Sequence, residues 1–176
     1  MEQVETIQKA KRQLVRAEFE KKYPHPWLIR ELDEDERPAL FRTMVSSIKK
    51  PIVLAKKHPT GGGMAQSLAL DPGRYGLYPL IKGGSNPWSD RVLVGRASNN
   101  DIVLRNDRIS KLHAYFQCGA KGVWRLFDAK SANGTRVDGD VLPAGEEGVE
   151  IRSGQVLMFG TLPCEIIGSG ELYDAL

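Results

Sequence analysis

Three short groups of residues carry the chemistry of this chain: Gly95-Arg96, Ser110-Lys111-Leu112-His113 and Asn133-Gly134-Thr135. Together they supply a guanidinium, a hydroxyl, an ammonium and a primary amide. Brought together on loops, these groups suit a doubly charged phosphate ester, which presents strong acceptor oxygens. Arg96 comes first, because its rigid fork of donors grips two oxygens at once, a geometry that a Lys does not supply. Ser110 offers a hydroxyl from a loop, where such groups can converge, and Lys111 beside it adds a point charge. The Asn133 amide can both donate to and accept from an extended peptide backbone, while Gly134 permits a backbone angle closed to other residues. Each residue also has a plainer reading: a solvated strand-end Arg, a turn-capping Ser, an Asn-Gly hairpin. One motif alone is weak, and the three in order are strong.

Other chemistries lack their parts. The histidines are His25, His58 and His113, and no triad spacing, HExxH or nucleophile elbow accompanies them. No catalytic residue is therefore assigned and the chain reads as a non-enzyme. No metal-ligand spacing and no cofactor motif stands out. Gly61-Gly62-Gly63 is not followed by the Gly-Lys-Ser/Thr of a nucleotide-binding loop. Cys118 and Cys164 lie in apolar, strand-like runs and read as buried, reduced thiols.

The elements that position these residues change character along the chain. Residues 2–22 contain no Gly or Pro and place Val4, Ile7, Leu14 and Ala17 near one helical face, which predicts an amphipathic helix ending at Pro24-His25-Pro26. A second helix is expected from Glu34 towards Lys49, with Pro38 in its first turn. Residues 1–55 thus read as a helical N-terminal region, and the glycine-containing stretch 56–73 as a linker. After Gly73 the pattern becomes short strands between turn residues: 75–81, 92–95, 102–104, 114–118, 123–127, 135–137, 156–159 and 164–167. Such spacing points to a β-sandwich over 74–170.

Bulk properties narrow the partners. Hydrophobic residues at 41% and charged residues at 27% are near the globular average, so this is not a disordered chain. The net charge of +3 is spread out: residues 1–90 hold 15 Lys and Arg against 11 Asp and Glu, and residues 91–176 hold 10 against 11. Without a clustered basic face, nucleic acid is not an expected partner. No apolar run reaches the length of a membrane span, so the expectation is a cytoplasmic chain with no membrane partner.

The three motifs, with Asn100-Asp101-Ile102 between the first two, resemble the forkhead-associated (FHA) domain family over residues 75–167. That resemblance implies a mainly β fold, a sandwich of about eleven strands binding peptide at one end. It implies phosphothreonine as the ligand, on a protein or peptide phosphorylated by a Ser/Thr kinase, with Arg96, Ser110, Lys111 and Asn133 in contact with it. Gly95, His113 and Gly134 become structural support, His113 as a buried hydrogen-bonding strut. Two departures stand out. Ala132 replaces a Ser or Thr hydroxyl that some relatives use on phosphate, which lowers the expected affinity, and Asp138 stands where Asn is common. The alternative function is a phosphate-independent scaffold that holds its partner through the N-terminal helices or the sandwich surface.

Overall fold

A computed structural model describes residues 4–37, 73–83, 86–145 and 147–176. Two helices open it, α1 (Val4–Gln13) and α2 (Arg16–Lys22), and a third closes it, α3 (Ser169–Ala175). Between them run eleven strands: β1 (Trp27–Glu31), β2 (Tyr75–Pro79), β3 (Arg91–Gly95), β4 (Ile102–Val103), β5 (Ala114–Cys118), β6 (Trp124–Asp128), β7 (Thr135–Val137), β8 (Asp140–Val141), β9 (Val149–Glu150), β10 (Val156–Phe159) and β11 (Leu162–Ile167). They form a six-stranded sheet, β2-β1-β11-β10-β7-β8, and a five-stranded sheet, β4-β3-β5-β6-β9. All paired strands are antiparallel except β3 and β4.

Alternation along the strands sets the layers. Leu162, Cys164 and Ile166 of β11 enter the core between the sheets with Leu28, Val92, Val94, Phe116, Leu126 and Phe159. A second core lies on the other side of the six-stranded sheet, where Trp27, Ile29, Leu77 and Ile167 meet Val4, Ile7, Ala10, Phe19, Leu172 and Ala175 of the helices. The molecule is therefore a sandwich with a helical layer on one outer face. Among the described residues no helix is long and apolar enough to cross a membrane.

The N-terminal region differs from its expected form in three ways. The single helix over 2–22 is broken at Val15, which adopts an extended ψ of 160°; Val15 donates its N–H to the Glu18 carboxylate at 3.4 Å and α2 restarts there. The break turns the apolar stripe, so Phe19 is buried and Ala17 is exposed. Secondly, residues 34–37 form a turn where a helix was expected to begin. Glu36 is drawn to the buried Arg30 guanidinium and accepts the Asp33 N–H at 3.1 Å, while its own N–H donates to the Asp33 carbonyl at 3.0 Å. The rest of that expected helix and almost all of the 56–73 stretch lie outside the described residues. Thirdly, the region expected to be helical supplies β1, which pairs with β2 on one side and β11 on the other.

Candidate functional site

The three motifs arrive on three loops at one end of the sandwich: 96–101 after β3, 104–113 before β5, and 129–134 before β7. Hydrogen bonds clamp the first two together. Arg96 donates its backbone N–H to the Ser110 carbonyl at 3.0 Å, and Ala97 to the Lys111 carbonyl at 3.2 Å. The Asn100 side chain, buried, donates to the carbonyls of Ala97 at 2.8 Å and Lys111 at 2.7 Å. Gly95 is needed where the loops meet: a Cβ there would lie 2.3 Å from the Lys111 carbonyl oxygen and 2.9 Å from the Asn100 amide nitrogen. Backbone that close leaves no room for a side chain.

His113 ties the second loop to the third. The Ser110 N–H donates to its Nδ1 at 3.1 Å, and Nε2 lies 3.1 Å from the Gly134 carbonyl. These partners assign the neutral tautomer with the proton on Nε2. Fully buried and edge-on to Phe159 at 5.8 Å, the imidazole has a pKa below the ordinary histidine value. Burial is the main cause, opposed by the Gly134 hydrogen bond and the Asp128 charge. Gly134, at φ +72°, also receives the Gly160 N–H on its carbonyl at 2.8 Å, which fixes the β10–β11 turn against the site.

Two polar side chains set the edge that faces outward. The Ser110 hydroxyl oxygen accepts the Ala132 N–H at 3.0 Å, so its own proton remains for an acceptor outside the fold. Asn133 donates its amide to the Arg108 carbonyl at 2.8 Å, joining the second and third loops a second time. Both side chains are thus held in place rather than left to find a geometry on binding.

The third loop is shaped by a residue that no motif announced. Asp128 is buried and accepts from the Ser131 N–H at 2.9 Å, the Ser131 hydroxyl at 2.7 Å and the Thr135 hydroxyl at 2.6 Å. A carboxylate so satisfied folds 129–134 into a compact turn. An Asp followed three residues later by Ser is the signal that could have found it. Asn100 is read from the sequence only as part of the Asn100-Asp101-Ile102 motif, and Arg108 carries no signal of its clamping contact with Asn133.

Arg96, Lys111, Arg105, Arg108 and Lys130 are all exposed on these loops, with Asp107 the one exposed acid beside them. None of the five cations forms an ion pair among the described residues. The loop end therefore carries a local positive field although the chain as a whole is nearly balanced. Arg136, in contrast, donates to the Gly139 carbonyl of its own hairpin at 3.2 Å. Asp138 closes that hairpin at φ +51°, accepting the Val156 N–H at 2.9 Å and the Gln155 amide at 2.9 Å, a packing role apart from the three loops. Cys164 is buried, and burial pushes its thiol up to about 12, whereas Cys118 is exposed at the end of β5, contrary to expectation. As the last residue of β5, Cys118 pairs with Trp124 of β6 but lies one residue past the last pair with β3, Gln117 with Arg91.

Residues 92–160 match the family model of the FHA domain. No curated protein matches the chain. Among solved structures it is similar to the FHA domain of a Chlamydia trachomatis protein, at 19% identity and a TM-score of 0.46 over 81% of this chain and 96% of that one. It is also similar to the N-terminal FHA domain of Saccharomyces cerevisiae Rad53p in complex with a phosphothreonine peptide, at 21% identity and a TM-score of 0.45 over 57% of this chain and 90% of that one. A third similar structure is Mycobacterium tuberculosis EmbR in complex with a low-affinity phosphopeptide. There identity is 22% and the TM-score 0.43, over 52% of this chain and 21% of that much longer one.

Proposed function

We propose that the chain is a phosphothreonine-dependent interaction module, a reading supported by the match of residues 92–160 to the family model of the FHA domain. The observation that carries it is the state of the loop end: Arg96 and Lys111 stand exposed without an acidic partner among the described residues, beside a Ser110 hydroxyl whose oxygen is occupied and whose proton is not. A phosphothreonine brings about −1.5 to −2 charges and acceptor oxygens for those groups. Arg96 grips two oxygens, Lys111 adds charge and Ser110 donates its proton. Asn133 fixes the peptide backbone. Gly95, His113 and Gly134 hold the loops at the distances this requires. Ala132 contributes its amide to Ser110 and no hydroxyl to phosphate.

Association then follows a Ser/Thr kinase and is reversed by loss of the phosphate, with no bond made or broken by this chain. The exposed free thiol of Cys118 suits a reducing compartment and so a cytoplasmic partner. The test is titration of the full chain with a degenerate phosphothreonine peptide pool and its unphosphorylated twin. Hydrogen bonds to charged groups contribute about 1.5 to 3 kcal/mol, so Arg96→Ala should weaken binding roughly ten- to a hundredfold. Equal binding of the two pools, or an unchanged affinity in Arg96→Ala, refutes the reading.

A further inference from the structure

On the outer face of the five-stranded sheet lies a mainly apolar cleft of about 280 Å3, bordered by Trp88, Arg91, Leu93, Leu112, Tyr115 and Lys130. We propose that it seats an aromatic side chain of the same phosphorylated partner segment, with a neighbouring acidic residue taken by Arg91 and Lys130. The proposal rests on the phosphothreonine reading above and extends it to a second anchor.

Position is the first reason. Leu112 directly follows Lys111, and Ala129 and Lys130 open the loop that carries Asn133, so the cleft lies on the flank of the loops that would hold phosphate. A single extended segment can reach both.

Trp88 is the second. It is 44% exposed, an uncommon placement for an indole, yet its loop is pinned. The Trp88 backbone N–H donates to the Asn86 side-chain oxygen at 3.0 Å, and the Asn86 amide donates to Asp101. Asp101 in turn accepts the N–H groups of Leu93 at 2.7 Å and Gly83 at 2.7 Å. An exposed aromatic whose backbone is already ordered loses little on binding, and Trp is among the residues that dominate interfaces. The same Asp101 belongs to the loop that begins with Arg96, so the two sites share a support.

The lining chemistry is the third. Tyr115 stacks on Phe127 at 4.7 Å with rings 4° from parallel, and the Arg91 guanidinium lies 4.6 Å from the Tyr115 centroid. Arg91 Nε is buried with no hydrogen-bond partner, and the guanidinium forms only a long ion pair with Asp90 at 3.8 Å. Lys130 stands on the rim at φ +60°, a conformation usually left to Gly or Asn. Asp128, the one carboxylate in the lining, is satisfied by Ser131 and Thr135. The cleft thus pairs an aromatic wall with two cations, which complements an aromatic residue beside an acid and repels a basic segment.

The experiment uses the full chain and phosphothreonine peptides in which one Phe is walked through every position on both sides of the phosphothreonine, with and without an adjacent Asp. At one position Phe should raise affinity about tenfold over Ala. Trp88→Ala should abolish that gain and leave affinity for the Ala peptide within about twofold, while Lys130→Glu should remove the further gain from Asp. If phosphate dependence stands but no Phe position separates the parent from Trp88→Ala, the cleft proposal falls alone. If no peptide binds in a phosphate-dependent way, both readings fall. Self-association of the free chain that Trp88→Ala removes would give the cleft to a second copy and overturn the proposal.

Discussion

His113 accepts one backbone amide on Nδ1 and lies within donating reach of one carbonyl from Nε2, and it can do both only while neutral. Protonation places a hydrogen on Nδ1, where the Ser110 N–H already points. In the fold its pKa lies below 6.5, so between that lowered value and 6.5 the unfolded chain binds more protons than the folded one. The contribution is complete above the unfolded value and is lost as pH falls below it. Melting temperature should therefore drop on going from about pH 8 to about pH 5, and His113→Ala should flatten that part of the profile. The variant also leaves the Ser110 N–H without its acceptor, a cost of about 1 to 3 kcal/mol. Calorimetry of parent and variant across the range checks both effects; a fully stable His113→Ala would remove the strut role.

Glycine matters at the level of the turn that joins β3 to β4. At Gly95 the obstacle to a Cβ is a backbone carbonyl clamped by two donors, not a flexible side chain. Gly95→Ala should lose about 1 to 3 kcal/mol by overpacking and weaken phosphopeptide binding as well, measured by calorimetry and titration on one preparation; a variant that keeps both would contradict the close approach. The dipeptide Gly95-Arg96 is legible from residue type and order, although the contact that requires Gly95 is made with Lys111 of another loop. The strands 114–118, 135–137 and 156–159 were read at their observed bounds, since each alternates or sits between clear turns. β1 was not, and burial explains why: Trp27, Leu28 and Ile29 are all buried, Leu28 in the inner core and its neighbours under the helices. A strand covered on both faces shows no period of two. β8 and β9, of two residues each, are too short to carry a pattern. Likewise Arg96, Ser110 and Asn133, the residues proposed to meet the ligand, are named from types and order, whereas Asp128 and Asn100 act through hydrogen bonds that exist only once the loops meet.

Across the whole molecule the loop end and the helix-covered core lie at opposite ends of one strand. Along β11 the Leu162 end adjoins the Gly160 turn of the site, and the Ile167 end lies under the helices. At about 3.3 Å per residue the two ends are roughly 16 Å apart. Phe19, fully buried, packs with Tyr23 at 4.8 Å and Tyr173 at 5.4 Å and links α2 to α3. Phe19→Ala should cost about 3 to 5 kcal/mol, while sites this distant combine additively, so the folded fraction should bind phosphopeptide as the parent does. Denaturant unfolding and titration of the same sample read the two quantities. The alternative, a phosphate-independent scaffold docking its partner on the N-terminal helices, expects the reverse: partner association lost with Phe19 and indifferent to phosphate. Among the described residues the apolar face of the helices is already taken, because Val4, Ile7, Ala10 and Phe19 face Trp27, Ile29, Leu77 and Ile167 of the same chain. Deleting residues 1–60 would not discriminate the two, since it removes β1 from between β2 and β11 and so disturbs the sandwich as well as the helices. A point change under the helices leaves the sheet intact and asks which end of the molecule the partner needs.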